Sequence, residues 1–145
     1  MSFFVRENKW GKMEVISAKN TKKILVVDDE KMSAFLLGRL LRMKGYETQV
    51  AYNAFEALDK IEKEEYDLII SDIRMPGKSG LEMIREVKEK YGLHSPKFLV
   101  VTGIAFDITK DEMKRLKILQ ILEKPFPRLR ILYKLVENAI YGCPA

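Results

Sequence analysis

The sequence predicts an α/β fold, a parallel sheet doubly wound with helices, and three observations carry that reading. Five short apolar runs alternate with helix-length amphipathic segments from Lys22 onward. The runs are almost continuously apolar, as strands covered on both faces are. The segments between them open on capping residues and close on glycines. KILVV (23–27) is the first strand, too short for a helix. A helix follows over 30–44, with Phe35, Leu36, Leu40, Leu41 and Met43 as its apolar stripe and Gly45 as its left-handed stop. YETQVA (46–51) is a more polar strand, suited to a place near an edge. Asn53 with Glu56 has the spacing of a capping box and opens a helix to about Glu64, with Ala54, Ala57, Leu58 and Ile61 inward. YDLIIS (66–71) is the third strand, and Pro76 and Gly77 break the loop over 72–79. Ser79 with Glu82 caps the next helix, which stops at Gly92. KFLVVT (97–102) is the fourth strand, Thr109 with Glu112 caps a shorter helix, and ILQIL (118–122) is the fifth strand. Pro127 opens a last helix to about Tyr141, with Leu129, Leu132, Leu135, Val136 and Ile140 inward. Right-handed crossovers leave few topologies for such a chain. The natural one for this size is the flavodoxin-like five-stranded sheet of order 2-1-3-4-5.

Composition bounds the rest. A length of 145 residues suits one domain, and 47% apolar with 32% charged residues can bury a core. No apolar run approaches the roughly 20 residues of a membrane span, and the opening residues lack a secretory signal. The single Cys143 excludes an internal disulfide and a cysteine-based zinc site, so a reducing, cytoplasmic setting is expected. The net charge of +5 is uneven: +2 over residues 1–20, zero over 21–103 and +3 over 104–145. That bias can attract an acidic partner but is too scattered for nucleic acid. Residues 1–20 show no sustained period. They are expected to be an N-terminal extension, either flexible or docked through Phe3, Phe4 and Trp10, ahead of a domain over 21–141 and a tail over 142–145.

In doubly wound sheets, chemistry sits at the carboxyl ends of the strands. Here those ends carry Asp28-Asp29-Glu30, Asp72, Thr102-Gly103 and Glu123-Lys124-Pro125-Phe126. The fold therefore brings three aspartates, a hydroxyl and a lysine to one edge. Crowded carboxylates repel unless they are protonated or share a cation. Hard oxygen donors suit Mg²⁺, Ca²⁺ or Mn²⁺. Magnesium keeps waters that a phosphoryl oxygen can replace, and Lys124, Thr102 and the Gly103 N–H can face such a group. One carboxylate can then act as nucleophile and form an acyl phosphate. Each residue also has a plainer role: Asp29 can cap a helix, Lys124 can be an exposed lysine, and His94 is a lone loop histidine. The combination points to chemistry more strongly than any member does.

The motifs VVDDE (26–30), IISDIRMPGKSG (69–80), VVTG (100–103) and EKPF (123–126) resemble those of response-regulator receiver domains, over about residues 21–141. The resemblance implies that Asp72 is the phosphoacceptor. It implies that Asp29 binds Mg²⁺ directly, that Asp28 binds or orients it, and that the backbone carbonyl of Arg74 and Asp72 itself complete the protein's share. Thr102 would hydrogen-bond the phosphoryl group, Lys124 would pair with it, and Pro125 occupies a position where the family usually has a cis-forming proline. The donor would be a sensor histidine kinase or a phosphotransfer protein, and an output protein would read the helix 4–strand 5–helix 5 surface. No separate enzymatic turnover, no direct nucleic-acid contact and no membrane association are implied, and the last helix can support a monomer or a weak dimer. Two departures stand out. Ile121 occupies a position where the family often has an aromatic switch residue, and Leu116-Lys117-Ile118-Leu119 replaces a glycine-containing turn. Arg74 and Ile104, two residues beyond Asp72 and Thr102, are expected with Gly103 to tune the site. The short segment after the last helix suggests a free-standing receiver; the alternative is the receiver part of a longer transcriptional regulator. Two rivals on the same fold fit less well. A nucleotide or flavin carrier wants backbone donors where Asp28-Asp29-Glu30 stands, and a phosphate-ester hydrolase wants D-x-D there.

Overall fold

The computed structural model describes residues 4–16, 21–103, 107–125 and 128–142. The elements run β1 (Phe4–Glu7), β2 (Met13–Ile16), β3 (Lys23–Val27), α1 (Lys31–Met43), β4 (Glu47–Ala51), α2 (Ala54–Lys63) and β5 (Leu68–Asp72). They continue with α3 (Gly80–Tyr91), a 3-10 turn over Gly92–His94, β6 (Lys97–Thr102), α4 (Lys110–Arg115), β7 (Ile118–Glu123) and α5 (Leu129–Tyr141). Strands β3 to β7 form one parallel sheet in the order β4-β3-β5-β6-β7, which is 2-1-3-4-5 counted within the sheet.

The strand residues alternate between two cores, as a period of two requires. Ile24, Val26, Leu68, Ile70, Leu99 and Val101 face α1 and α5, where Ala34, Leu37, Leu41, Leu132, Val136 and Ala139 meet them. Leu25, Val27, Ile69, Phe98 and Val100 face α2 and α3 through Ala54, Ala57, Ile61, Met83, Ile84 and Val87. Helix starts follow the sequence. Asn53, Ser79 and Thr109 each accept a bond from the N–H three residues on, at 2.8, 3.1 and 3.0 Å. Gly45 takes φ +101° after α1.

Two expectations need correction. Of the apolar stripe read along α1, Leu41 is buried and Leu40 half-buried, but Phe35 and Leu36 are each 53% exposed and Met43 is 73% exposed. The buried face is Ala34, Leu37, Gly38 and Leu41, whose small members let the helix close on the sheet. A Cβ on Gly38 would come within 3.0 Å of Val50 Cγ2. On α5, Leu129 is exposed and Ala139 is buried in its stead. At the N-terminus the described residues go beyond the sequence reading. The segment without a visible period forms an antiparallel hairpin, pairing Val5 with Val15 and Arg6 with Glu14. Asn8 Oδ1 accepts the N–H groups of Trp10 and Lys12 at 3.0 Å each, and Gly11 takes φ +74°. The hairpin docks on the end of α2: Lys9 Nζ donates to the carbonyls of Ile61 and Glu64, Trp10 Nε1 donates to Glu62 O at 3.0 Å, and Arg6 pairs with Glu65. Phe3 lies outside the described residues.

Candidate functional site: an acidic pocket at the carboxyl edge

The pocket is assembled by strand register. Val27, the last residue of β3, lies beside Ser71, so the chain leaves β3 at Asp28 next to Asp72, the last residue of β5. Asp72 pairs with Val101 and Thr102 with Glu123, which sets Lys124 just past the end of β7. Carboxylate oxygens of Asp28, Asp29 and Asp72 lie within 4.8 Å of one another. Asp28 and Asp72 are buried and Asp29 is exposed.

Lys124 bridges the two buried acids. Its Nζ lies 2.9 Å from Asp72 Oδ2 and 3.2 Å from Asp28 Oδ2. The remaining oxygens are held by backbone: Glu30 N–H donates to Asp28 Oδ1 at 2.9 Å, and Arg74 N–H donates to Asp72 Oδ1 at 3.1 Å. Burial is the largest influence on Asp28 and pushes its carboxyl above the usual range, against the Glu30 amide and Lys124. Burial pulls the Lys124 ammonium down, but the bond to Asp72 and the charges of Asp28 and Asp72 outweigh it and hold it above the ordinary lysine value. Helix capping does not account for these acids, because α1 has no side-chain cap at Glu30.

The donor set fits a hard divalent ion. With Asp28, Asp29 and Asp72 ionised against one ammonium, the pocket carries two uncompensated negative charges, the complement of one divalent cation. All side-chain donors are oxygen, which suits Mg²⁺ rather than zinc.

The other expected residues are placed less uniformly. Thr102 is buried, and its carbonyl accepts the Lys124 N–H at 2.9 Å, tying hydroxyl-bearing and lysine-bearing strand ends together. Gly103 is exposed, and among the described residues nothing lies within 4 Å of where a Cβ on it would stand. The Arg74 side chain is exposed. Ile121 is half-buried and packs against the α2–α3 core. The Lys124–Pro125 peptide is cis. Ile104, Phe126, Pro127 and Cys143 lie outside the described residues.

One positioning residue was not singled out from the sequence. Gly80, the first residue of α3, packs against the backbone of Asp72: a Cβ there would fall inside contact distance of the Asp72 carbonyl and 3.1 Å from Ile73 Cα. Its N–H donates to Ile73 O at 2.8 Å. The signal was a glycine directly after a capping serine, where helix propensity favours almost any other residue.

Residues 24–136 match the response regulator receiver domain. The chain belongs to that family. It is a receiver domain of the two-component response-regulator type, and solved receivers agree with its fold. It is 30% identical to the chemotaxis response regulator CheY4 of Vibrio cholerae, over 83% of this chain and 99% of that one, with a TM-score of 0.70. The response regulator protein TrrA from Thermotoga maritima, solved in complex with Mg²⁺ and BeF, is 36% identical over 81% of this chain and 98% of its own, with a TM-score of 0.67. A response regulator receiver protein from Pseudomonas putida reaches a TM-score of 0.74 at 27% identity, over 83% of this chain and 99% of that one. The hairpin over 4–16 precedes the matched residues. Among the described residues no helix is long and apolar enough to cross a membrane.

Proposed function

We propose that this receiver domain takes a phosphoryl group onto Asp72 from a phosphohistidine of a sensor kinase or phosphotransfer protein, and that a partner reads the change. The observation that carries the reading is the 2.9 Å pairing of Asp72 with Lys124 inside a ring of three carboxylates. A carboxylate oxygen of Asp72 attacks phosphorus in line, the P–O bond of an acyl phosphate forms, and the P–N bond breaks with its electron pair going to the imidazole. Lys124 then exchanges its bond to the Asp72 carboxylate for one to a phosphoryl oxygen, and its charge balances the transferred group. Thr102, placed on the neighbouring strand end, supplies a hydroxyl to the same group. Asp28, Asp29, Asp72 and the Arg74 carbonyl would hold Mg²⁺, which supplies charge neutralisation for the transferring oxygens when bound. The Mg²⁺–BeF complex of TrrA supports this assignment by likeness.

The output runs through the α4–β7–α5 side. Ile121 has no ring to swing; the Lys124 Nζ pairing with Asp72 and the Thr102 carbonyl bond to the Lys124 N–H link the acceptor edge to that surface. Switching requires a partner that binds the two states differently.

The test is incubation with acetyl phosphate and Mg²⁺ followed by intact mass. A gain of about 80 Da that is lost in Asp72→Asn and without Mg²⁺ supports the reading. No adduct, or one that persists in Asp72→Asn, overturns it.

A further inference from the structure

At the opposite edge of the sheet from the acidic pocket lies a groove of about 700 Å³. One wall is the hairpin with Arg6, Lys9 and Trp10; the other is the 3-10 turn and the starts of β6 and β7. Strand β6 has 6 residues, so the groove lies about 20 Å from the strand ends that hold Asp72.

Charge within the groove is segregated. Toward the hairpin acids are in excess: Glu14 and Glu65 share Arg6, and Glu47 and Glu64 share Lys23. Exposed Glu7 and Asp67 form no salt bridge among the described residues, and Asp67 accepts the Lys23 N–H. Toward β6 and β7 the cations have no acid. Lys97 Nζ donates to Ala139 O at 3.2 Å, and Lys117 Nζ donates to Leu93 O and Ser95 O at 2.8 and 2.9 Å. Lys88, on the last turn of α3, donates to Gly92 O at 3.2 Å. All three lysines are half-buried, and among the described residues none pairs with a carboxylate.

Lys117 is the telling member. It takes φ +59°, a conformation that lysine rarely adopts. The two carbonyls fix its ammonium in place, so the charge is presented rather than left swinging on a flexible stem. Burial first, then the nearby charges of Lys88 and Lys97, push that ammonium below its usual range.

We propose that the lysine end of this groove binds an acidic, partly apolar peptide segment of a partner protein. Charge complementarity selects the acid. The apolar part follows from Leu93, 87% exposed beside the lysines, and from Trp10, 44% exposed on the facing wall. A lone phosphate has no use for either and fills little of 700 Å³. A nucleic acid would run its phosphates past Glu7, Glu14 and Glu47 on the other side. The site stands independently of the phosphoacceptor reading.

The probe is a short fluorescein-labelled peptide of glutamates interrupted by leucines, titrated with the full chain and followed by anisotropy. Saturable binding is expected, weakened about fivefold or more by Lys117→Gly and by Lys97→Met, and fading as salt is added. Asp72→Asn, and Lys134→Met on the exposed side of α5, leave it unchanged. Glycine accepts φ +59° without strain and methionine keeps the stem of Lys97, so both variants are expected to fold; thermal melting checks each, and Lys97→Met decides if Lys117→Gly melts early. Absence of saturable binding overturns the proposal, as does equal weakening by Lys134→Met. Tighter binding of pyrophosphate or of a duplex oligonucleotide at the same lysines overturns it too, since the occupant is then not a peptide.

Discussion

Asp29 stands apart from the other two acids of the pocket. Asp28 and Asp72 share Lys124, whereas among the described residues Asp29 has neither a hydrogen bond nor an ion pair. Its carboxylate lies within 4.8 Å of the other two with no bonded cation to offset their repulsion in the metal-free chain. Asp29→Asn is expected to raise the metal-free melting temperature by a few degrees while abolishing the gain that Mg²⁺ gives the parent, both read in one thermal series with and without the ion. Asp28 acts through pH. Its folded carboxyl is lifted by burial above the unfolded value, so the native chain binds the extra proton between the two values. Metal-free stability consequently falls as pH rises through that window and stays reduced at neutrality. Asp28→Asn removes this component, and the variant's advantage in urea unfolding is expected to grow from about pH 4 to about pH 7. Gly80 illustrates a constraint of shape rather than charge. A methyl at that position collides with backbone, which cannot rotate away, so Gly80→Ala is expected to cost about 2–4 kcal/mol in urea unfolding and to slow Asp72 modification by acetyl phosphate.

At the scale of elements, the hairpin and α2 form one unit. Helix α2 ends at Lys63 without a glycine stop, so its last carbonyls need donors from elsewhere. Lys9 and Trp10 supply them to Ile61, Glu62 and Glu64. Trp10→Phe keeps the ring and deletes the donor; about 1 kcal/mol of stability is expected to be lost, with faster amide exchange confined to the end of α2 and the hairpin turn. This element was the least legible in the sequence. Its strands have only 4 residues each, and Phe4-Val5 and Val15-Ile16 put apolar residues side by side where a half-buried strand alternates. The signal that was present is Asn8 with Gly11, a turn pair between β-branched flanks. The five parallel strands were legible because burial on both faces makes each run apolar throughout, and the three caps because their chemistry is local. The buried face of α1 was not. Ala34 and Gly38 are chosen for close approach to β4, and a reading by hydrophobic size gives the larger Phe35 and Leu36 precedence. The acidic pocket was legible residue by residue, since strand ends are marked in sequence. That Lys124 bridges two acids while Asp29 remains without a counter-charge depends on side-chain reach, which spacing does not encode.

Across the whole molecule, the error about α1 becomes informative. The helix starts directly after Asp28-Asp29-Glu30, so exposed Met32, Phe35 and Leu36 stand on its first two turns, at the pocket end of α1. Large apolar side chains on that face contribute little to the core, because Ala34, Leu37 and Leu41 already bury the inward side. Their burial has to come from another molecule if it comes at all. If the donor is a protein bringing a histidine to Asp72, as proposed, it can dock on this face, whereas acetyl phosphate is small enough to reach the pocket without touching it. The two donors therefore separate docking from chemistry. Phe35→Asp is expected to leave thermal stability and the rate of modification by acetyl phosphate within about twofold of the parent. With a phosphorylated kinase or phosphotransfer protein as donor, the same variant is expected to lose about tenfold or more in transfer rate, as removal of an aromatic anchor from an interface does. Stopped transfer reactions resolved by radiolabel on gels read the difference. Equal loss with both donors would place Phe35 in the fold or the pocket, and no loss with either would leave the outer face of α1 without a part in phosphotransfer.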